Sequence, residues 1–298
     1  MKVLLTGAAG RLGRHCLAEL NQAGWDVRAT DCRAVEGQVP PIQVVDLLDA
    51  AAVAELGAEC DAVVHLGNHP GPHRVAPERI FNENLAMNMN VFQAALDHGV
   101  RKLIFASSIQ VNASEPVESV FARCGSGPAY LPLDGDLPAQ PTNAYALSKW
   151  MGEVMLRDYF AAADMDAVAL RFPALLDSEM TGPYLARQAG TRQRVVPAPA
   201  YRIAQGFTVL LYADAARLIQ ALLEAPLPGY RVYLPAVSVP PPGSLPELLA
   251  RYYPDVPLRR PLAARTDLCD CSRLQRETGW RPSATLDLAA RDPTVGGS

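Results

Sequence analysis

Tyr145 and Lys149 stand four residues apart in the stretch "NAYALSKWMGE" (143–153), a spacing that sets both on one helix face, one turn apart. A phenol titrates near pH ~10 and is a poor base unless something stabilises its anion. An ammonium one turn away does so by Coulomb attraction. Lys149 is one of three lysines among 27 basic residues, the other 24 being arginine. A guanidinium could not replace its compact charge without changing the geometry. The same pair also occurs on ordinary helix surfaces, so its meaning depends on what the rest of the chain brings to it.

A glycine-rich stretch brings a phosphate site. "TGAAGRLG" spaces Gly7, Gly10 and Gly13 three residues apart, directly after an apolar run and ahead of a helical pattern. Glycines there allow a tight turn, close backbone approach to a pyrophosphate and close helix–strand packing, while the helix N-terminus aims free N–H groups at the anion. Asp31 ends the next strand, 18 residues beyond Gly13, where an acid hydrogen-bonds the ribose hydroxyls of NAD and repels the extra phosphate of NADP. NAD is therefore the expected cofactor, with Arg33 nearby keeping NADP open. Asp46, ending the third strand, is expected as a neighbour of the adenine ring. Ser108 falls at the carboxyl end of a strand, the edge at which open α/β sheets bind ligands.

The elements that must position these groups alternate. "KVLLTG", "DVRATD", "IQVVDL", "DAVVHLG", "KLIFASS" and "DAVALRF" read as strands, several of them continuously apolar as when both faces are covered. Between them, "RLGRHCLAELNQAG" carries Leu12, Cys16, Leu17 and Leu20 at helical spacing, and "ERIFNENLAMNMNVFQAALDHG" and the Tyr145 segment are further helices. The pattern predicts a Rossmann-type α/β fold, a doubly wound parallel sheet with right-handed crossovers. Residues 115–142, rich in Pro, Gly and polar side chains, read as a long functional loop. "FTVLLYADAARLIQALLEAP" and "RVYLPA" read as one more helix and strand of the main sheet. The expected division is a dinucleotide-binding unit over 1–176, to which 207–236 return, and a smaller substrate-binding region from 177–206 and 237–298.

The 298 residues are 49% hydrophobic and 19% charged, with net charge −4 and pI about 5.8. This balance gives no electrostatic case for nucleic acid or anionic membrane. No apolar run approaches the ~20 residues of a membrane span, and "MKVLLTGAAG" does not read as a secretory signal. The six cysteines lack framework spacing and read as reduced thiols of a cytoplasmic protein. Cys269 and Cys271 lack the second ligand pair of a zinc site, and "PGP" between His69 and His73 spoils a shared metal-binding face, so no metal is expected.

Taken in order, "TGAAGRLG", Asp31, "VVHLG" (63–67), Asn84 to Asn88, "FASS" (105–108), "YALSK" (145–149), "LRFP" (170–173), "YADAARLIQAL" (212–222) and "RETGWRP" (276–282) resemble the extended short-chain dehydrogenase/reductases, the NAD-dependent epimerase/dehydratase family. The resemblance implies Tyr145 as general base or acid, Ser108 as a hydrogen-bond partner of the reacting oxygen, and Lys149 as tuner of the tyrosine and partner of the nicotinamide ribose. It also implies that Arg11, Leu12, Leu47, Leu66, Gly67, Asn84 and Pro173 line the cofactor site with the residues above. Asn84 and Asn88 would support the active site through a bound water; otherwise each is a surface amide.

Departures from the family narrow the chemistry. Where its dehydratases carry an Asp-Glu pair after the active-site hydroxyl residue, this chain has Ile109 and Gln110, which cannot transfer protons, so dehydration is not expected. Asn112-Ala113 replaces a common Tyr-Gly and alters the substrate pocket wall. Hydride transfer on a sugar or nucleotide-sugar remains, as epimerase or dehydrogenase. "HLGN" and "FASS" are similar to the uronate-dehydrogenase branch, which acts on free sugar acids. A non-catalytic NAD-binding redox sensor is the alternative of another class. Arg187, Arg192, Arg194 and Arg202 are candidate anchors for a substrate phosphate or carboxylate, or else a solvated basic loop. Met87, Met89, Met151 and Met155 exceed what one buried face needs, which fits a homodimer pairing helices 84–98 and 145–163, as family members often do; burial within a monomer is the alternative.

Overall fold

Val3, Leu4 and Leu5 open the chain as consecutive buried residues, and they divide between two cores: Val3 and Leu5 pack on one face of a sheet and Leu4 on the other. Burial of each such side chain stabilises the fold by roughly 1.5–3 kcal/mol. That two-sided demand is why the strand has no polar face. The chain is described from a computed structural model, over residues 1–72, 75–113, 127–161, 163, 165–180, 203–239, 244–259 and 268–283.

The first half alternates as β1 (Lys2–Thr6), α1 (Arg11–Gln22), β2 (Asp26–Asp31), β3 (Gln43–Val44), α2 (Ala50–Leu56), β4 (Ala62–His65), α3 (Pro77–Asp97) and β5 (Lys102–Ser108). Then come α4 (Ala144–Phe160), β6 (Asp166–Phe172), β7 (Ala174–Leu176), β8 (Thr208–Leu211), α5 (Tyr212–Glu224), β9 (Tyr230–Tyr233), β10 (Val237–Ser238), α6 (Leu245–Tyr252) and α7 (Ser272–Thr278). Seven strands pair in parallel in the order β3-β2-β1-β4-β5-β6-β9. The order reverses at β1, whose neighbours are β2 and β4, so a crevice opens beyond the carboxyl ends of β1 and β4. Thr6 lies in register with Thr30 on one side and His65 on the other.

Helix α1 buries Cys16, Leu17 and Leu20 as their spacing predicts and packs with α5 on one face of the sheet, while α3 and α4 pack together on the other. The segment "IQVVDL" departs from expectation, since only Gln43 and Val44 pair, along the sheet edge. "RVYLPA" does supply β9 of the main sheet. The strand leading into α5 does not join it: β8 pairs with β7 in parallel and with β10 antiparallel in a second, three-stranded sheet. Within the expected loop, residues 127–142 contain no helix or multi-residue strand, yet Leu131, Leu133 and Leu137 are buried in a third core beneath that sheet. Residues 115–126 of that loop lie outside the described residues.

Two lysines mark the amino edge of the main sheet. Lys2 begins β1 and pairs with Glu59 at 3.2 Å. Lys102 begins β5 and is buried, its Nζ donating to the carbonyls of Leu222, Leu223 and Ala225 at 2.9, 3.3 and 2.5 Å. A cation thus satisfies the otherwise orphaned last carbonyls of α5. No helix among the described residues is long and apolar enough to cross a membrane.

Candidate active site

At the crevice, backbone sterics explain the glycines. Gly7 has φ +69°, and a Cβ there would sit 2.8 Å from Gly67 N. A Cβ on Gly13 would sit 2.2 Å from Gly7 O, so α1 presses directly on the turn. Gly10 N–H closes the turn on Gly7 O at 3.0 Å. Gly10 also caps α1 with no side-chain bond of its own, which leaves the first-turn N–H groups, Arg11 and Leu12 among them, available to an anion. A turn too tight for a side chain at Gly7 or Gly13, ahead of a helix end with no side-chain cap, fits the pyrophosphate of NAD.

Asp31 Oδ2 accepts the N–H of Ala9 at 2.9 Å and Arg33 Nη2 donates to Ala9 O at 3.3 Å, so both reach the same bend of the turn. Leu47 is buried with its Cδ1 2.5 Å from where a Gly67 Cβ would lie. Asp46 is exposed, its Oδ1 accepting Leu48 N–H at 3.0 Å. Leu66 and Gly67 follow β4 and give their N–H groups to Thr6 Oγ1, each at 3.2 Å. Pro173 is buried between β6 and β7.

On the far side of the crevice, Asn143 caps α4 by accepting Ala146 N–H at 2.8 Å, which fixes the turn that carries Tyr145. Lys149 follows one turn later, its Nζ 5.9 Å from the centre of the Tyr145 ring and 5.0 Å from that of Phe105. Ser108 ends β5; its Oγ accepts Gln110 N–H at 3.2 Å and is hydrogen-bonded to Tyr145. Burial raises the Tyr145 phenol above its ordinary value, and the bond to Ser108 opposes this. Burial also pulls the Lys149 ammonium down to about 7. Each charged form alone is disfavoured in so dry a place, and each would stabilise the other.

The sequence reading missed the groups behind this trio. Asn68 Oδ1 accepts from Lys149 Nζ at 2.8 Å. Glu153, one turn beyond Lys149, is buried and pairs with Arg171 of β6, Nη2 to Oε2 at 2.8 Å and Nε to Oε1 at 2.9 Å. Ser107 Oγ donates to the same carboxylate at 2.5 Å, while Arg171 Nη1 donates to Asn112 Oδ1 and Leu137 O, each at 2.6 Å. One ion pair thus joins α4, β5, β6 and the loop before α4. The only signals for it were a Glu four residues after Lys149 and an Arg inside an apolar strand.

Asn84 and Asn88 are fully buried, not surface amides. Asn84 Oδ1 accepts His69 N–H at 2.8 Å and its Nδ2 donates to Ser148 Oγ at 2.9 Å, so its side chain braces the loop after β4 against α4. Ile109 is buried, and Gln110 Oε1 accepts from Asn143 Nδ2 at 3.1 Å. His69 bonds Glu83 at 2.6 Å, and no metal-binding group of His, Cys, Asp and Glu occurs among the described residues. Arg187, Arg192, Arg194, Arg202 and His73 lie outside the described residues.

The chain is 32% identical over 202 residues to uronate dehydrogenase of Pseudomonas syringae pv. tomato, covering 64% of this chain and 67% of that one. It is 28% identical over 186 residues to UDP-glucose 4-epimerase of Bacillus subtilis, covering 57% of this chain and only about half, 51%, of that one. A short-chain dehydrogenase/reductase superfamily protein of Agrobacterium tumefaciens, solved with bound NAD, shares the fold with a TM-score of 0.69 at 23% identity, covering 97% of this chain and 94% of that one. The model of the NAD dependent epimerase/dehydratase family matches residues 3–218, which takes in the glycine turn, the Tyr145 helix and the start of α5, and the chain belongs to that family.

Proposed function

We propose that this chain is an NAD-dependent oxidoreductase or epimerase that moves hydride at a hydroxyl or keto carbon of a sugar-type substrate, with Ser108, Tyr145 and Lys149 as its catalytic residues. The observation that carries this is the meeting of a buried phenol, a hydroxyl and an ammonium that no carboxylate meets among the described residues, at the carboxyl edge of the sheet, across from a glycine-rich anion turn. Bound NAD supplies the hydride acceptor and a positive ring. Ser108 holds the reacting oxygen, Tyr145 exchanges its proton, and the Lys149 charge stabilises the phenolate left behind. Ile109 and Gln110 offer no acid–base pair for dehydration. Asp31 favours NAD over NADP, with Arg33 beside it.

The likeness to a uronate dehydrogenase supports a second reading, oxidation of a free sugar acid. Denaturing freshly purified protein and identifying released nucleotide by mass spectrometry separates the two. Near-stoichiometric NAD(H) fits an epimerase, which keeps its cofactor through both transfers; an empty site that binds NAD reversibly fits a dehydrogenase. Substituting Tyr145→Phe should lower turnover roughly 10³-fold while leaving NAD bound. A cellular function that survives the substitution would instead support a non-catalytic redox sensor.

We read the protein as cytoplasmic and homodimeric through α3 and α4. Met89 is 42% exposed on α3, and Met87, Met151 and Met155 are half-buried, which supports that pairing. A monomeric mass by light scattering would overturn it.

A further inference from the structure

The Lys149 ammonium has three donors and no acceptor. Two donors are used, on Asn68 Oδ1 and Ala106 O, each at 2.8 Å. No carboxylate meets it among the described residues, since Glu153 on the next turn is taken up by Arg171 and Ser107. The titratable groups that face it are Tyr145 on its own helix and His65 on β4, and β5 presents the ring of Phe105. One donor is left for a bound cofactor.

The ammonium also dictates the direction of a longer chain of bonds. Because it can only donate, Asn68 must turn its oxygen toward Lys149 and its nitrogen away. That Nδ2 donates to Gly67 O at 2.8 Å and to Asn88 Oδ1 at 3.0 Å. Asn88 Oδ1 also receives the Nε2 proton of His65 at 3.0 Å. His65 Nδ1 then accepts the Thr6 hydroxyl proton at 2.8 Å, because Thr6 Oγ1 is already an acceptor for Leu66 and Gly67 N–H. Each orientation follows from the one before. A single proton arrangement runs from Lys149 to the residue preceding Gly7.

We propose that Asn68 is a positioning residue for Lys149, gripping the ammonium through a neutral oxygen and tying it, through Asn88, His65 and Thr6, to the head of the phosphate turn. This rests on the reading of Tyr145 and Lys149 as the reacting pair. The chemistry lies in the amide. A carboxylate at position 68 would hold the ammonium more tightly but cancel its field at the Tyr145 oxygen. An alkyl side chain would leave it unheld. The amide fixes the cation and leaves its charge for the phenolate.

The test uses the full-length chain carrying isotope-labelled lysine, whose three lysines give separable NMR titrations. The Lys149 signal is assigned by its loss in Lys149→Arg. The wild-type midpoint is expected at about 7. Asn68→Asp should raise it by about 1–3 pH units. Asn68→Ala, which removes one acceptor of the charged form, should lower it and weaken NAD binding about fivefold. If the aspartate variant does not fold, the alanine variant decides. Midpoints unmoved by these substitutions, while Tyr145→Phe abolishes turnover, would overturn the role of Asn68 alone. Turnover surviving in Tyr145→Phe would overturn both readings, whatever the midpoints.

Discussion

The two walls of the crevice are built on different principles. The glycine wall is shaped by backbone: Gly7 and Gly13 leave no room for a Cβ, Gly10 is crowded at 3.1 Å, and the groups it offers an anion are peptide N–H groups. The facing wall is shaped by buried side chains drawn from distant strands and helices, Asn68 to Lys149, Glu153 to Arg171 and Asn84 to Ser148. Steric walls tolerate almost no substitution but need few partners. Polar walls depend on every partner being present, because each buried group left alone carries its full desolvation cost.

The largest effect is expected where that dependence is greatest. Glu153→Gln leaves the Arg171 guanidinium buried without its counter-charge, and should cost about 3–5 kcal/mol in urea unfolding. A loss below about 1 kcal/mol would mean that Asn112 and Leu137 O satisfy Arg171 unaided, and the contrast between the walls would weaken. Gly13→Ala tests the steric wall. Its Cβ meets backbone, which cannot swing aside, so about 1–3 kcal/mol of stability should be lost together with NAD affinity in calorimetric titration. Gly71→Ala is the control, since a Cβ there meets nothing within 4 Å.

The effect that vanishes near neutral pH and grows only in acid concerns the link between the walls. Burial pulls His65 from 6.5 to about 3, and the Lys149 charge adds to this. Between those values the unfolded chain binds a proton that native His65 refuses. Stability should therefore fall as pH drops through that window, by about 1.4 kcal/mol per pH unit, and be unaffected by this group above it. His65→Gln should flatten that slope in pH-dependent unfolding. An unchanged slope would place the acid sensitivity elsewhere.

The steric wall was legible in the sequence because glycine is demanded there and its spacing can be read directly. So were β1, β4, β5 and β6, whose two covered faces leave unbroken apolar runs. The polar wall was legible in Ser108, Tyr145 and Lys149 and, through the family resemblance, in Asn84 and Asn88, but not in the pairs that hold them. Asn68 is 81 residues from Lys149, and Arg171 is 18 from Glu153; such pairs have no period, and single polar residues resemble surface until folding buries them. The strand β8 carried no mark of sheet choice either. "TVLL" suits either sheet, and packing against β7 decided it.

The scarcity of lysine has a practical side. Of three lysines, Lys102 and Lys149 are 8% and 4% exposed, each occupied by carbonyl oxygens. Lys2, at the start of β1, is the one whose ammonium reaches the surface. It lies at the edge of the sheet opposite the crevice. Amine-directed tethering, labelling or cross-linking at side chains should therefore converge on one point and leave every molecule facing the same way, its cleft turned outward.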